Sequence, residues 1–238
     1  MITGASSGIG LGLAEAFLQD GANVVLNSSN AEKLKSAAAT LAPQDRIALV
    51  AGDIGDPATG DRLVAIAVDR FGGVDVLVNN AGRFAAKPFL ESSEDDLDQY
   101  YRTNLKGTYF ATQAAVQQLK KQGKGGAIIN IGTVLVTHSL TNVAASAALT
   151  SKGAIHALTT SLASELAPDN IRVNIVAPGI IRTPIHNGYD VDDLARLHLL
   201  NRVGEVQEVV DAVLHLANAE FTTGVNLPVD GGHIAGRL

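Results

Sequence analysis

The sequence predicts an α/β fold: a parallel, doubly wound sheet in a three-layer αβα arrangement, with a shortened first strand. Three observations carry that expectation. Short β-branched or aliphatic runs alternate with longer helical patterns along the chain, as in βαβ units whose sheet is buried on both faces. A glycine-rich loop, TGASSGIG at residues 3–10, passes from a strand end directly into a helical pattern. The 238 residues are 46% apolar, ample for a buried core without disulfides or metals, so a single domain over 1–238 is expected.

The first strand is the oddity, because only Met1 and Ile2 precede Thr3. Strands usually run about 5 to 6 residues, and the strand feeding such a loop is central in a doubly wound sheet. Either the true start lies upstream or the sheet accepts a stub, and lost apolar contacts beside the loop are expected to cost stability or ligand affinity. After Gly10, the positions of Leu11, Leu13, Ala14 and Phe17 mark the first helix. Strands are predicted over 23–27, 46–51, 74–79, 126–131, 171–177 and 225–229. Between them Asn30 caps a helix opening at Ala31, Asp56 with Pro57 reads as N-cap and first helical residue, and Ser93 with Asp96 resembles a capping box. A helix from about Ala147 places Ile155, Leu158, Leu162 and Leu166 on one stripe, read as core or subunit contact. Tyr100, Tyr101 and Tyr109 are expected to pack, and the acidic Asp190, Asp192 and Asp193 to form a solvated face.

Charge and composition exclude several classes. With 24 acidic against 18 basic side chains the net charge is −6, which argues against nucleic acid or an anionic membrane as partner. The absence of cysteine excludes a disulfide framework and a thiolate metal site and fits a reducing cytoplasm. No window approaches the ~20 apolar residues that span a bilayer, so a soluble, cytoplasmic protein without a metal is expected.

Gly4, Gly8 and Gly10 have the spacing GxxxGxG. Such a turn needs unusual backbone angles and close approach of backbone to a pyrophosphate, while the following helix N-terminus offers free N–H groups to the phosphates. With NNAG at 79–82, Asn104 in TNLKG, Lys152 in SKGA and PGIIRT at 178–183, in this order over nearly the whole chain, the sequence resembles the classical short-chain dehydrogenase/reductase family. The resemblance implies a Rossmann fold with a short substrate lid at about 184–201. It further implies a nicotinamide dinucleotide held by Gly4, Ser6, Ser7, Gly8, Ile9 and Gly10 at the phosphates. Asp53 and Ile54 would meet the adenine, Asn80, Ala81 and Gly82 its ribose, and Lys152 the other ribose. Pro178, Gly179, Ile181 and Thr183 would clasp the nicotinamide amide. Homodimers or homotetramers are implied as well, through helices beginning near Asn104 and Ala147, with Ala154, Ala157 and Ala163 allowing close approach.

Cofactor choice is read at Asn27, Ser28, Ser29 and Asn30. A carboxylate near Ser28 would favour NAD and an arginine NADP, and neither is present. The missing carboxylate favours NADP over NAD, with the hydroxyls of Ser28 and Ser29 and the Asn27 amide able to bond a 2′-phosphate. Lys33 and Lys35 are within possible reach but read as solvated.

The family's catalytic set is tyrosine, lysine, serine and asparagine. Asn104 and Lys152 match, and INIGT at 129–133 makes Thr133 the counterpart of the serine. The interval from Thr133 to Ala148 is about two residues longer than in the family, and the family interval would instead land on Leu135. Ala148 stands where the family has its tyrosine. A positioned acid/base contributes about 10² to 10⁴ in rate, so another proton donor is needed, and His138 is the first candidate, ahead of Ser139, Thr150, Ser151 and Tyr189. His156 reads as core or interface. The implied function is an NAD(P)(H)-dependent oxidoreductase of a small carbonyl or alcohol with an atypical proton donor. The alternative is a catalytically weak or inactive NAD(P)-binding protein, a sensor or structural partner, and a nucleoside-sugar epimerase or dehydratase is the weaker third reading.

Overall fold

The structure, a computed structural model, describes residues 1–141, 143–186 and 190–236. In chain order the elements are α1 (Gly8–Gln19), β1 (Val24–Ser28), α2 (Ala31–Ala38), β2 (Ile47–Ala51), α3 (Pro57–Phe71), β3 (Val76–Asn79), α4 (Glu94–Tyr100), α5 (Gly107–Gln122), β4 (Gly126–Ile131), α6 (Ser146–Leu166), β5 (Ile171–Pro178), α7 (Val206–Asn218) and β6 (Asn226–Val229). Each predicted strand is present to within two residues at either end. The caps form as expected. Asn30 accepts from the Lys33 amide, Asp56 accepts from the Ala58 amide ahead of Pro57, and Ser93 with Asp96 closes a capping box.

All strand pairs are parallel: β1 with β2, and β3, β4, β5 and β6 side by side. Ile2 joins the two parts, bridging Leu26 of β1 and Val78 of β3. The shortened first strand is therefore one bridging residue with flanking bonds. Its amide donates to Val25 O at 2.9 Å and its carbonyl accepts from Asn27 at 3.0 Å, while Thr3 donates to Val78 O at 3.1 Å. Beside this stub a hollow of about 400 Å³ opens between Phe17, Val24, Phe71 and Val76.

Strand alternation divides the core into two layers. Leu26, Val78 and Ile129 face α1 and α7, with Leu13, Val209 and Val213. Their neighbours Val25, Leu77 and Ile128 face the opposite side, with Leu63, Ala111, Leu119 and Leu166. A buried chain of side-chain bonds pins the second layer to the sheet. Asn79 donates to Thr112 (2.8 Å) and to Asn130 (2.9 Å), and Asn130 donates to Thr159 on α6 (2.9 Å). Asn79, the first residue of NNAG, thus serves the scaffold.

A π-helical stretch, Tyr101–Lys106, links α4 to α5 and turns Asn104 fully inward. Single-turn π segments of this kind tend to sit at functional sites, since the extra residue re-aims a side chain. The same stretch corrects the expectation for the tyrosines. Tyr101 and Tyr109 are 50% and 46% exposed, because residues on this side of α4 and α5 face away from the sheet. One further expectation is corrected. Ala163 belongs to the core beneath α6 while Ala157 is exposed, so the three alanines do not share one open face. Asp190, Asp192 and Asp193 are exposed, as expected of a solvated face, and Asp192 also forms a two-pronged ion pair with Arg182 (2.6 and 3.2 Å), which meets Glu205 at 3.0 Å. Among the described residues, no helix is long and apolar enough to cross a membrane.

Candidate active site

The glycine loop, the segments after β3 and β4, Lys152 of α6 and the segment after β5 enclose a cleft of about 370 Å³ at the C-terminal ends of the strands. That is where parallel α/β sheets bind ligands, because the loops there diverge and helix N-termini point inward. Gly4, Ser6, Ser7, Gly8, Ile9, Asn80, Ala81, Gly82, Thr133, Lys152, Pro178, Gly179, Ile181 and Thr183 line this cleft together.

The glycine loop is held rigidly. Gly4 and Gly8 have φ of +65° and +53°, the left-handed region that glycine alone adopts cheaply. Gly10 does not line the cleft, and its role is packing: a β-carbon there would strike the Gly4 carbonyl and come within 2.5 Å of Asn80 Nδ2. Thr3 Oγ1 accepts from the amides of Asn80 and Ala81, each at 3.0 Å, and the Asn80 amide group donates to the carbonyls of Thr3 and Gly4. NNAG therefore locks the loop from behind. This cradle, with α1 opening at Gly8, fits a pyrophosphate.

At the end of β1 the structure corrects one expectation. Asn27 is buried and spends both amide hydrogens on Val50 O and Gly52 O, each at 3.0 Å, so it offers nothing to a 2′-phosphate. Ser28 is buried too, but its hydroxyl meets Ser6 of the glycine loop at 3.0 Å, while Ser29 is exposed. Lys33 and Lys35 are exposed on α2. Asp53 already receives Arg102 Nε and the Gly55 amide, both at 2.9 Å, with Ile54 buried next to it.

Asn104 does not open onto the cleft. Its Oδ1 accepts from the Arg83 amide (2.7 Å), and its Nδ2 donates to Arg83 O (3.0 Å) and Ser151 Oγ (2.9 Å). It clamps the segment after β3 to α6, and Ser151, only a weak proton-donor candidate in the sequence, is the other jaw. Lys152 donates to Ile131 O at 2.7 Å, and burial lowers its pKa to about 8. Thr133 and Leu135 both face the cleft, so the two ways of counting to the family serine land on the same wall. His156 lies behind Gly132, whose β-carbon would come within 2.9 Å of the imidazole.

Ala148 is 1% exposed and does not line the cleft. Leu135, which does line the cleft, sits on the 3₁₀ turn Val134–Val136 packed against α6. Substituting Ala148→Tyr is therefore expected to overpack the site, costing about 1 to 3 kcal/mol and lowering Tm by about 2 to 10 °C for a domain of this size. The double variant with Leu135→Ala should recover much of that loss. Thermal denaturation of the three proteins checks this, and an undiminished Tm in Ala148→Tyr would show that room for a ring exists.

The histidines are redistributed relative to expectation. His138 does not line the cleft. Its ring stands edge-on to His233, centroids 5.5 Å apart, because the longer loop after Thr133 carries it toward the C-terminal segment. His198 is buried and accepts the Ile180 amide on Nε2 at 3.1 Å, holding the segment that follows β5. Burial keeps its pKa below the ordinary histidine value, which preserves that acceptor. Gly179 is required beside it, since a β-carbon would approach His198 Nε2 to 2.9 Å. The histidine that lines the cleft is His186, three residues beyond Thr183. The sequence signal for it was its place three residues after PGIIRT. Tyr189 lies outside the described residues.

A family model described as enoyl-(acyl carrier protein) reductase matches residues 4–233. The chain belongs to the short-chain dehydrogenase/reductase family. This family member is 37% identical over 246 residues to an L-rhamnose 1-dehydrogenase (NAD(P)(+)) of Azotobacter vinelandii, covering 98% of this chain and 94% of the relative. It is 38% identical over 245 residues to a trans-4-hydroxycyclohexanecarboxylate dehydrogenase of Sinomonas cyclohexanicum, covering 99% and 92%. Among solved structures, a short-chain type dehydrogenase/reductase from Mycobacterium marinum superposes with a TM-score of 0.93 at 30% identity, covering 99% of this chain and 94% of that one. ElxO with NADP bound superposes with a TM-score of 0.91 at 30% identity, covering 99% and 98%. As a short-chain dehydrogenase/reductase, the chain places its cleft where the family motifs converge.

Proposed function

We propose that this protein is an NAD(P)(H)-dependent oxidoreductase that oxidises a secondary hydroxyl on a six-membered ring, or reduces the matching carbonyl, with a proton donor other than tyrosine. The observation that carries the reading is the intact cleft: glycine cradle, Lys152 and the segment after β5 on one void. The relatives support the substrate class, since rhamnose and 4-hydroxycyclohexanecarboxylate are both ring compounds with ring hydroxyls. A wall of Phe84, Leu135, Ile180 and Ile185 suits the apolar face of such a ring, and Thr133 and Lys152 suit its oxygen.

Amides from Gly8 onward would receive the phosphates of the dinucleotide, Asp53 and Ile54 its adenine, and Lys152 a ribose. Ile181 and Thr183 would hold the carboxamide. When bound, the nicotinamide supplies a hydride acceptor or donor. Thr133 would donate a hydrogen bond that orients the substrate oxygen, the Lys152 ammonium would favour negative charge developing on that oxygen, and the apolar wall would exclude water. Ser28 beside Ser6, with no carboxylate, supports NADP over NAD.

Fluorescence titration with NADPH and NADH, followed by nicotinamide absorbance across a panel of cyclic secondary alcohols and aldopyranoses, tests the reading. Binding of both nucleotides, tighter for NADPH, with turnover of ring alcohols is expected. Bound nucleotide with no turnover anywhere on the panel would refute the oxidoreductase, and failure to bind either nucleotide would refute the cradle.

A further inference from the structure

We propose that His186 carries the proton that a tyrosine at position 148 would otherwise carry. This rests on the oxidoreductase reading above and names a group within it. Among the described residues, the titratable side chains lining the cleft are Arg83, Lys152 and His186. An arginine holds its proton throughout the accessible pH range. Lys152 is committed to Ile131 O at the cleft floor. His186 ends the 3₁₀ turn Pro184–His186 that continues the segment after β5, and it lines the cleft together with Lys152 and Thr133.

No hydrogen bond or ion pair joins the His186 ring to another described residue, and the residue is only partly exposed. The residue lines the same space as Thr133, whose hydroxyl would orient a substrate oxygen. Burial holds the imidazole below the ordinary histidine range, which leaves a lone pair to act as a base at neutral pH. Among the described residues, Arg83 and Lys152 are the charged groups that share the cleft with it. Of the other five histidines, none lines the cleft: His138, His198 and His233 cluster together, His156 lies behind Gly132, and His215 is on the outer face of α7.

In the oxidation direction the hydroxyl O–H bond breaks and its proton passes to the imidazole lone pair. The carbinol C–H bond breaks and leaves as hydride to an oxidised nicotinamide dinucleotide, and the C=O double bond forms. The imidazolium then returns its proton to water at the open side of the cleft. In the reduction direction the imidazolium protonates the new alkoxide.

His186→Asn keeps the volume and polarity of the ring but cannot take up the proton. The variant should bind NADPH within about twofold of wild type by fluorescence and lose about 10² to 10³ in kcat on a ring alcohol. His215→Ala should behave as wild type. Independently of turnover, the His186 ring signal in the NMR spectrum, assigned by its loss in His186→Asn, should titrate below the usual histidine midpoint and shift when NADP⁺ is added. Undiminished kcat in His186→Asn, a collapse in His138→Ala instead, or a ring signal indifferent to the dinucleotide would each overturn the assignment while leaving the oxidoreductase standing. A wild type that binds no nucleotide would sink both.

Discussion

Replacing Lys152 by methionine is expected to cut turnover by about 10² to 10³ and to raise the stability of the ligand-free protein. The two effects share one cause. Burial lowers the Lys152 pKa from 10.5 to about 8, so the fold holds an ammonium that water would solvate better. The unfolded chain keeps its proton up to a higher pH than the folded one does. Stability therefore rises with pH between about 8 and 10.5, and at neutral pH the charged lysine costs the fold up to about 3 kcal/mol. Part of that is offset by the bond to Ile131 O, worth about 1.5 to 3 kcal/mol as a charge-assisted contact. A net gain of about 1 kcal/mol, read as a Tm higher by about 2 to 4 °C, is expected for Lys152→Met. Turnover should fall by about 10² to 10³, the range for losing one preorganised donor at a developing oxyanion. Calorimetry from pH 7 to 10.5 checks the first half, because the variant should lack the wild type's rise across that window. A variant less stable than wild type at pH 7 would mean that the carbonyl outweighs the burial.

Gly10→Ala should be nearly as damaging, through the cradle. The added methyl meets the Gly4 carbonyl, comes within 2.5 Å of Asn80 Nδ2 and lies 3.0 Å from Ala5 Cα, so backbone must move. Moving Asn80 breaks its bonds to Thr3 O and Gly4 O, which fix the loop. Strain of about 1 to 3 kcal/mol is typical of such overpacking, and each 1.4 kcal/mol taken from binding weakens it about tenfold. Dinucleotide affinity measured by fluorescence should drop by about 10- to 100-fold. Gly153→Ala is the control: its β-carbon meets only Val136 Cγ1, at 3.7 Å, and a helical alanine is favoured by about 0.5 to 1 kcal/mol. Equal losses in both variants would show that glycine matters here for flexibility rather than for space.

What could be read from the sequence followed from local rules. Strands such as Val24–Ser28, buried at every position, open on an apolar run because a parallel sheet buries both faces, and that pattern needs no tertiary knowledge. Asn30, Asp56 and Ser93 cap helices through bonds spanning two or three residues. The cleft's glycines and PGIIRT were legible for the same reason, since close approach of backbone leaves a signature in residue type. Where the path of a loop decides, the sequence was mute. His138 and His186 are equally plausible on chemistry, and only the longer turn after Thr133 sends the first away from the cleft while the segment after Thr183 brings the second in. Asn27 looked available because strand ends are often open, whereas Val50 and Gly52 on the neighbouring strand consume its amide.

The one-residue joint at Ile2 has a consequence for cooperativity. β1, α2 and β2 form a contiguous unit zipped to the remaining sheet through the Ile2 and Thr3 backbone, and the chain runs from that zip straight into the glycine loop. Sub-global opening of such a unit costs less than global unfolding, and here it would also dismantle the phosphate cradle. A dinucleotide at about 100 times its Kd would add about 2.7 kcal/mol against that opening. Cofactor held in the cradle would thus brace the seam between β1 and β3 that Ile2 and Thr3 form.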